Sequence, residues 1–535
     1  MTTAAVEDED EGVRAPSAGK GRRTGRRAPL RGILPVAGAA LVAAAGALTA
    51  VGCFLGLYVR PTSDDWCAAW KARDMGVLGI TADFYSTQNG RIANAFLSGV
   101  VYGDGLAGTK VLPTLIVISF TIGLVLLGRH FARFLGGRPP VLVLTACALV
   151  VQALLYFAGT RSYQVLLWAP ATISHTVPSV IGVWALLLAV RTVGHPRAGV
   201  RTAGCVSGFL IAFALGTLSE PFALVSGLLA ALVGVLCLPR LGLARTRRPL
   251  VWCLLWCSGL LCGLVVLYTS PGARWRRAQQ PEKEPLLSAG ELRGTVRDWL
   301  YMWDTVSGRW AYLGAVAVGV LLGLAIRRRG SGPGKRSERS EPGERGEKAG
   351  RAAGDRRRTV PRTTLAALLL LPVPVVVLGS LAVVVGLRSG YGPSGWTYAR
   401  TWTSYLVPME LALCGYGALL GAWAARWLPG RLGRRTAEAV LAGGAVVAAC
   451  LAMASVAVLV PDVQRLTTAT VTRSVAWDAQ NARIREEAAR GAADVGYRPL
   501  HIGNLAEPFF TGSYERDWVA ACVVQWYGVD RIHRD

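Results

Sequence analysis

The sequence places two adjacent carboxylates, Asp64 and Asp65, in the segment "RPTSDDWCAAW" at residues 60–70. A carboxylate beside a cleft can act as a general base, because it can take a proton from an attacking hydroxyl group. A carboxylate in the first turn of a helix can instead be structural: Ser63 is a good N-cap, and each first-turn carboxylate gains roughly 0.3–1 kcal/mol from the helix dipole. Neighbouring residues point about 100° apart around a helix, so one aspartate can cap while the other faces a cleft. The sequence leaves open which of the two does which.

Four arginines are candidates for binding a phosphate group. Arg274, Arg276 and Arg277 lie in "SPGARWRR" directly after a long apolar segment, and Arg400 lies in "SGYGPSGWTYARTW". Guanidinium groups bind phosphate in a bidentate manner, which favours a lipid phosphate or pyrophosphate as the ligand. General attraction to lipid headgroups, without a specific pocket, is the alternative for the first three.

Three other ionisable residues are candidates for lining a polar cavity. Arg91 lies in "NGRIAN", His175 in "ATISHTVPSV" and Glu220 in "TLSEPFALV". His175 and Glu220 fall at or just inside a predicted membrane boundary, where an ionisable group is costly unless it faces a polar cavity. The turn before Glu220 is short enough for its side chain to reach water instead, so the role of Glu220 stays open.

The elements that position these residues are predicted to be membrane-spanning helices. The chain has 535 residues, of which 52% are hydrophobic, and it repeats apolar runs of the length that crosses a bilayer. This excludes a soluble protein and predicts an all-α polytopic membrane protein of about 11 transmembrane helices. The predicted spans are residues 33–58, 111–128, 141–159, 173–190, 202–219, 221–239, 249–270, 311–326, 363–387, 403–425 and 436–461.

The positive charges predict an orientation. If the N-terminus is inside, 34 of the 58 Lys and Arg residues lie in cytoplasmic segments, and every short segment on that side is basic. We therefore expect a multi-pass protein of the cell membrane with a cytoplasmic N-terminus and an extracytoplasmic C-terminus. The net charge of +25 does not indicate a nucleic-acid partner, because the basic residues are divided among these segments and do not form one face.

The spans and the segments between them divide the chain into five predicted regions. Within the first membrane domain, outer loops are predicted at 59–110, with amphipathic helices, and at 271–310. The last region is predicted to form a small cap on the outer face, where we expect function to sit. The regions are a disordered basic cytoplasmic tail at 1–32, eight spans at 33–326, a disordered cytoplasmic linker at 327–362, three spans at 363–461 and an extracytoplasmic segment at 462–535.

Two cysteines, Cys67 and Cys522, lie outside the predicted spans, whereas the other nine of the eleven lie within them. On the oxidising side of a membrane such a pair can form a disulfide, which would tie the first outer loop to the C-terminal segment. The alternative is two unrelated buried thiols.

The arrangement resembles the GT-C superfamily of membrane glycosyltransferases, which have many spans, a cytoplasmic N-terminus and a first outer loop that carries acidic residues. More narrowly, "PTSDDW", "NGRIAN", "SPGARWRR", "AWDAQNARI" and "VVQWYGV" are similar to motifs of an uncharacterised actinobacterial multispanning family near that superfamily. The resemblance implies a GT-C-like fold, a polyprenyl-phosphate-linked sugar as donor, and an envelope glycan or lipid as acceptor.

The same resemblance implies roles for individual residues. Asp64 or Asp65 would be the catalytic general base, and the arginines already named as candidates would stabilise the departing polyprenyl phosphate. The adjacent aspartates depart from the Asp-x-Asp pattern of the metal-dependent members. No metal ligand is therefore assigned, and a divalent metal stays open as a cofactor.

These observations favour transfer of a sugar from a lipid-linked donor to a cell-envelope acceptor on the outer face. The sequence contains no Gly-rich phosphate loop, nucleophile elbow or HExxH motif, which disfavours soluble nucleotide and hydrolase chemistry. The alternative is a non-enzymatic membrane protein, either a carrier for a lipid-linked sugar or a scaffold of envelope assembly. A carrier is disfavoured because we see no two similar halves with broken helices and almost no acidic residues near the centres of the spans.

Overall fold

The computed structural model of the chain describes residues 29–241, 246–279, 285, 288–326, 366–367, 369–502 and 513–535. Most of the predicted tail at 1–32 and the whole predicted linker at 327–362 lie outside the described residues. The described parts are largely helical, and the protein is an all-α polytopic membrane protein.

The helices follow one another with short connections. In chain order they are α1 (Pro29–Gly56), α2 (Asp64–Thr87), α3 (Ile92–Tyr102), α4 (Ala107–Phe134), α5 (Val141–Phe157), α6 (Ala169–Thr192), α7 (Ala198–Gly216), α8 (Glu220–Leu236), α9 (Arg248–Thr269), α10 (Pro271–Ala278), α11 (Ala289–Ser307), α12 (Leu313–Ala325), α13 (Pro372–Tyr391), α14 (Thr403–Leu432), α15 (Arg434–Ala457), α16 (Val460–Ala489) and α17 (Trp518–Tyr527).

Eight helical segments within the described residues are long and apolar enough to cross a membrane. A ninth span results if α11 and the helix over 310–325 are counted together, although the two are bent by 66°. The remaining two of the eleven predicted spans correspond to α5 and α8, which have 17 residues each. Such a helix is about 25 Å long, at the lower limit for crossing a bilayer. The apolar helices thus lie where the sequence predicts them, but the count of eleven spans is not confirmed.

Helices α12 and α14 pack with their backbones in contact at the centre of the main core. A Cβ atom on Gly319 would lie 2.1 Å from the Cys414 carbonyl oxygen, and one on Gly417 would lie 2.1 Å from the Val316 carbonyl oxygen. A second glycine lies four residues later in each helix, Gly323 in α12 and Gly421 in α14, and such small residues four apart allow close approach in a membrane, where van der Waals packing holds helices together. Helices α1, α5 and α15 surround the pair and complete the core.

One end of the bundle, called the loop face here, carries α2, α3, α10 and the C-terminal segment from residue 460 onward. A second hydrophobic cluster joins α2, α3 and the C-terminal segment. Trp66 of α2 packs against Trp477, Tyr497 and Trp526, with ring centroids 6.0–6.4 Å apart. The C-terminal segment is therefore packed on the first loop as one structural unit.

The C-terminal segment has a small fold of its own. Strand β1 (Asp494–Tyr497) pairs in parallel with β2 (Arg531–Arg534), and α17 lies between them in the sequence. A disulfide joins Cys67 of α2 to Cys522 of α17 across a sequence separation of 455 residues. Arg73 of α2 adds hydrogen bonds of 2.8 and 3.0 Å to carbonyl oxygens at the end of α17.

Candidate functional site

Asp65 is the structural member of the aspartate pair. Its side chain is buried, and its Oδ1 accepts a hydrogen bond from the Tyr102 hydroxyl group while its Oδ2 accepts one from the Thr62 backbone N–H at 2.9 Å. Both oxygens are therefore engaged inside the protein. Sequence reasoning missed Tyr102 in this role, because its only sequence signal is an aromatic residue at the end of an apolar helix.

The prediction that Ser63 caps α2 with its side chain is wrong. Ser63 has φ of 50°, a left-handed conformation uncommon for a residue with a side chain, and it makes no side-chain cap hydrogen bond. The Asp65 carboxylate holds the turn instead, because it bonds back to the Thr62 backbone N–H. The strained turn begins the helix at Asp64 and orients both carboxylates.

The surroundings of Asp65 favour its protonated form. Burial raises the pKa of Asp65 to about 7, although the hydrogen bonds from Tyr102 and Thr62 and the charge of Arg473 act to lower it. Desolvation penalises the charged form of a carboxyl group, which explains why burial dominates here.

Helix α16 holds the turn that precedes the aspartates. Arg473 donates hydrogen bonds of 3.0 and 2.7 Å to the carbonyl oxygens of Arg60 and Pro61, and Arg60 forms a bidentate ion pair with Asp478 at 2.6 and 2.7 Å. Arg473 is only 5% exposed. The C-terminal segment therefore positions the start of α2, a role that the sequence did not indicate.

Asp64 is the member of the pair that faces the basic residues. It is half-buried, and burial raises its pKa while the charges of Arg400, Arg276 and Arg91 act to lower it. The three arginines come from distant parts of the sequence. The fold thus brings one carboxylate within electrostatic range of three guanidinium groups at the loop face, an arrangement suited to a ligand with both hydroxyl and anionic groups.

Arg400 is positioned by aromatic rings and one amide. Its guanidinium group lies 4.7 Å from the ring centroid of Tyr398 and 5.2 Å from that of Trp168, and its Nη1 donates a 3.1 Å hydrogen bond to Oε1 of Gln164. Gln164 lies in a short helix, Ser162–Leu166, before α6. A lone glutamine between two predicted spans gives no functional signal in a sequence, and Gln164 was not among the candidates.

Arg91 and Glu220 form an ion pair, with Nη2 2.8 Å from Oε2. The loop before Arg91 lies directly on the turn between α9 and α10: Gly90 has φ of 76°, and a Cβ atom there would lie 2.2 Å from Oγ of Ser270. Only glycine fits this close approach. The contact between Gly90 and Ser270 places Arg91 beside Glu220, the first residue of α8. Two of the three predicted cavity residues therefore lie together.

His175, the third predicted cavity residue, lies in a π-helical turn, Thr172–Thr176, near the start of α6. Its backbone carbonyl accepts a 3.1 Å hydrogen bond from Oγ1 of Thr403, three residues after Arg400. The imidazole is 8% exposed, and within the described part of the chain its Nδ1 has no hydrogen-bond partner. π-Helical turns often occur at functional sites, and this one joins α6 to the Arg400 segment.

The three arginines of "SPGARWRR" divide between two environments. Arg276 is exposed and contributes to lowering the pKa of Asp64. Arg274 donates to the Thr269 carbonyl oxygen and Arg277 to that of Tyr268, both at 2.8 Å, at the end of α9. Free carbonyl groups at a helix C-terminus attract cations, which accounts for the difference.

An ion-pair cluster around Arg388 and a single buried carboxyl group, Glu410, lie away from Asp64. Arg388 of α13 donates to Glu291 at 2.7 Å and to the buried Asp298 at 2.6 Å, which fixes α11 against α13. Glu410 of α14 is fully buried, and within the described residues neither of its carboxyl oxygens has a hydrogen-bond partner. The sequence indicated neither of these.

The fold and this site define the protein as a helical multi-pass membrane protein with an acidic and basic cluster at its loop face. Among the residues that the structure describes, no group of three or more His, Cys, Asp or Glu side chains could hold a metal ion. No family model matches the chain, and no curated protein matches it.

Proposed function

We propose that the protein is a membrane glycosyltransferase of GT-C type that moves a sugar from a polyprenyl-phosphate donor to a cell-envelope acceptor. The observation that carries this proposal is the division of roles within the aspartate pair. Asp65 is engaged in structural hydrogen bonds, whereas Asp64 lies among Arg400, Arg276 and Arg91. A general base beside groups that stabilise a leaving phosphate is what such a transfer requires.

In the proposed reaction, Asp64 takes the proton from an acceptor hydroxyl group as that oxygen attacks the anomeric carbon of the donor sugar. The bond between the anomeric carbon and the phosphate oxygen breaks, and polyprenyl phosphate leaves with the bonding electrons. Arg400 and Arg276 stabilise the charge that develops on the phosphate. Arg91 is paired with Glu220, so its part is to hold the site together and to contact the sugar.

The proposal includes an orientation in which the loop face is extracytoplasmic. Two observations support it. The disulfide between Cys67 and Cys522 lies at the loop face, and disulfides persist in oxidising compartments. The segments predicted to be cytoplasmic hold 34 of the 58 Lys and Arg residues, in agreement with the positive-inside rule. Lipid-linked envelope donors and acceptors would then reach Asp64 from the outer leaflet.

The test compares Asp64→Asn with Asp65→Asn in the full-length protein. Each variant is reconstituted in vesicles with labelled polyprenyl-phosphate hexose and pentose donors and a cell-envelope extract, and transfer of label to the extract is measured. We expect Asp64→Asn to reduce transfer by at least about 100-fold, the usual contribution of a general base, and Asp65→Asn to retain most of it. Normal transfer by a correctly inserted Asp64→Asn protein would refute the proposal.

One observation favours a carrier as the second candidate function. Glu410 is a buried carboxyl group within a span, and such groups often carry protons in transporters. A carrier predicts that Glu410→Gln abolishes movement of a labelled polyprenyl-phosphate sugar across a vesicle membrane while Asp64→Asn leaves it unchanged. The transferase predicts that Asp64→Asn abolishes sugar transfer and that no transmembrane movement depends on Glu410.

A further inference from the structure

A second concave region lies at the loop face, on the other side of Gln164 from Arg400. It is a cavity of about 420 Å³ lined by residues 159–164, by Arg309 and by the first turns of α16. A shallower concavity of about 770 Å³ adjoins it and shares Arg465 and Ala469 with it. We call the two together the α16 trough.

The α16 trough has an excess of positive charge. Arg161, Arg309 and Arg465 line it, and Asp462, which is paired with Arg465, is its one acidic lining residue among those described. Arg309 and Arg465 are exposed, so their guanidinium groups are accessible to a ligand. Because the hydroxyl groups of Thr160 and Ser162 lie in the same wall, the trough offers hydrogen bonds to a polyol as well as charge to an anion.

Gln164 connects the α16 trough to the Asp64 site. Its side chain is 3% exposed and forms part of the wall of the trough, while its Oε1 accepts the hydrogen bond from Arg400. Within the described residues its amide NH₂ group makes no hydrogen bond. This amide can donate a hydrogen bond to an oxygen of a ligand that enters the trough.

We propose that the α16 trough binds a polyol that carries a phosphate or carboxylate group and that it is the acceptor site of the proposed transferase. The assignment of the trough as the acceptor site rests on the proposed function. The binding of an anionic polyol does not. The anion contacts Arg309 and Arg465, and the polyol hydroxyl groups extend past Gln164 toward Asp64. The same phosphate chemistry is offered by a soluble acceptor and by a lipid headgroup.

The test uses glycerol phosphate as the probe. The full-length protein in phosphatidylcholine nanodiscs is titrated by calorimetry, and the double variant Arg309→Gln/Arg465→Gln is compared with Arg293→Gln. Arg293 is an exposed arginine on α11 outside the trough, so its variant controls for charge alone. We expect the double variant to bind about tenfold or more weakly and the control to bind like wild type. Equal affinity of the double variant and wild type, or an equal loss in the control, would overturn the proposal.

Two further measurements distinguish a lipid headgroup from a soluble ligand, and the trough proposal from the proposed function. In nanodiscs that contain phosphatidylglycerol, loss of the affinity difference between wild type and the double variant indicates that a lipid headgroup fills the trough, and a preserved difference indicates a soluble ligand; both outcomes support the anion site, and the comparison cancels the repulsion between the anionic surface and the probe. Asp64→Asn should bind glycerol phosphate normally. If that variant also transfers sugar normally, the proposed function fails while the trough stands, whereas normal binding by the double variant refutes the trough alone.

Discussion

Replacing Asp65 by asparagine should make the protein more stable at neutral and alkaline pH. Asparagine has the shape of aspartate: its Oδ1 can accept the hydrogen bond that Thr62 donates, and its Nδ2 can donate to the Tyr102 hydroxyl oxygen, which reverses the direction of that bond. The change removes a group that is costly to ionise in its buried position. Most substitutions of buried polar residues destabilise a protein, so a gain in stability would be a distinctive result.

The magnitude follows from the pKa of Asp65, which burial raises from 3.8 to about 7. Between those two values the unfolded chain has lost the proton and the folded protein has kept it, so wild-type stability falls as the pH rises through this window. A shift of about 3 pKa units corresponds to about 4 kcal/mol at about 1.4 kcal/mol per unit. The Asp65→Asn protein lacks this loss. Relative to wild type it should therefore gain about 4 kcal/mol between about pH 4 and pH 7, and nothing more above that.

The assay is equilibrium unfolding in mild detergent from pH 4 to pH 8, followed by the fluorescence of the loop-face tryptophans. Comparing the variant with wild type at each pH cancels the contributions of other titrating groups. Asp64→Asn serves as the comparison: burial also raises the pKa of Asp64, and the charge of Asp64 raises the pKa of Asp65, so this variant should show a smaller gain with the same sign while the hydrogen bonds of Asp65 stay intact. A free-energy difference that does not change with pH, or one that changes in the opposite direction, would refute the assignment of Asp65 as a buried, protonated structural residue.

Three other changes test the fold. Gly319→Leu should force α12 away from α14 and reduce the yield of monodisperse protein, while Gly415→Leu on α14, where a Cβ atom would have no neighbour within 4 Å, should not; equal yields would contradict the close packing. Arg388→Gln should destabilise the protein by about 2 kcal/mol or more in thermal unfolding, because Glu291 loses this ion pair and the buried Asp298 keeps only its 3.6 Å contact with Arg297; an unchanged midpoint would count against this pairing. Cys522→Ser should lose about 3 kcal/mol of stability in the loop face and expose α17 to proteases; resistance equal to wild type would mean that Cys67 contributes no constraint.

The positions of the apolar helices could be read from the sequence because a long run without charges has few alternatives to a helix in a bilayer. The sequence did not show which of these helices are long enough to cross the membrane. Helices α5 and α8 are 17 residues long, and a run of apolar letters does not show where a helix ends in a turn. The bend of 66° between α11 and the following helix also depends on packing, since Arg388 holds α11 through Glu291 and Asp298.

The candidate site shows the same division between composition and three-dimensional contact. Asp64, Arg91, Glu220 and Arg400 carry chemical signals in their residue types and in their places near predicted boundaries. Tyr102, Gln164 and Arg473 do not, because each acts by a hydrogen bond to a residue or backbone group that only the fold brings near. For Ser63 the residue type was misleading. Serine is a common helix cap, but Ser63 makes no side-chain cap hydrogen bond, and the Asp65 carboxyl group bonds to the turn instead.

The adjacent aspartates suit proton transfer because their different surroundings let one stay protonated while the other ionises. The negative charge of Asp64 raises the pKa of Asp65, because two like charges so close together repel each other. Burial keeps Asp65 protonated up to about pH 7, so Asp64 can ionise next to Arg400, Arg276 and Arg91 without a second negative charge beside it. Two neighbouring carboxyl groups with different surroundings can thus take different roles, as the proposed reaction requires. The C-terminal segment contributes to this difference through Arg473. The charge of Arg473 lowers the pKa of Asp65, and its hydrogen bonds hold the turn that precedes Asp65.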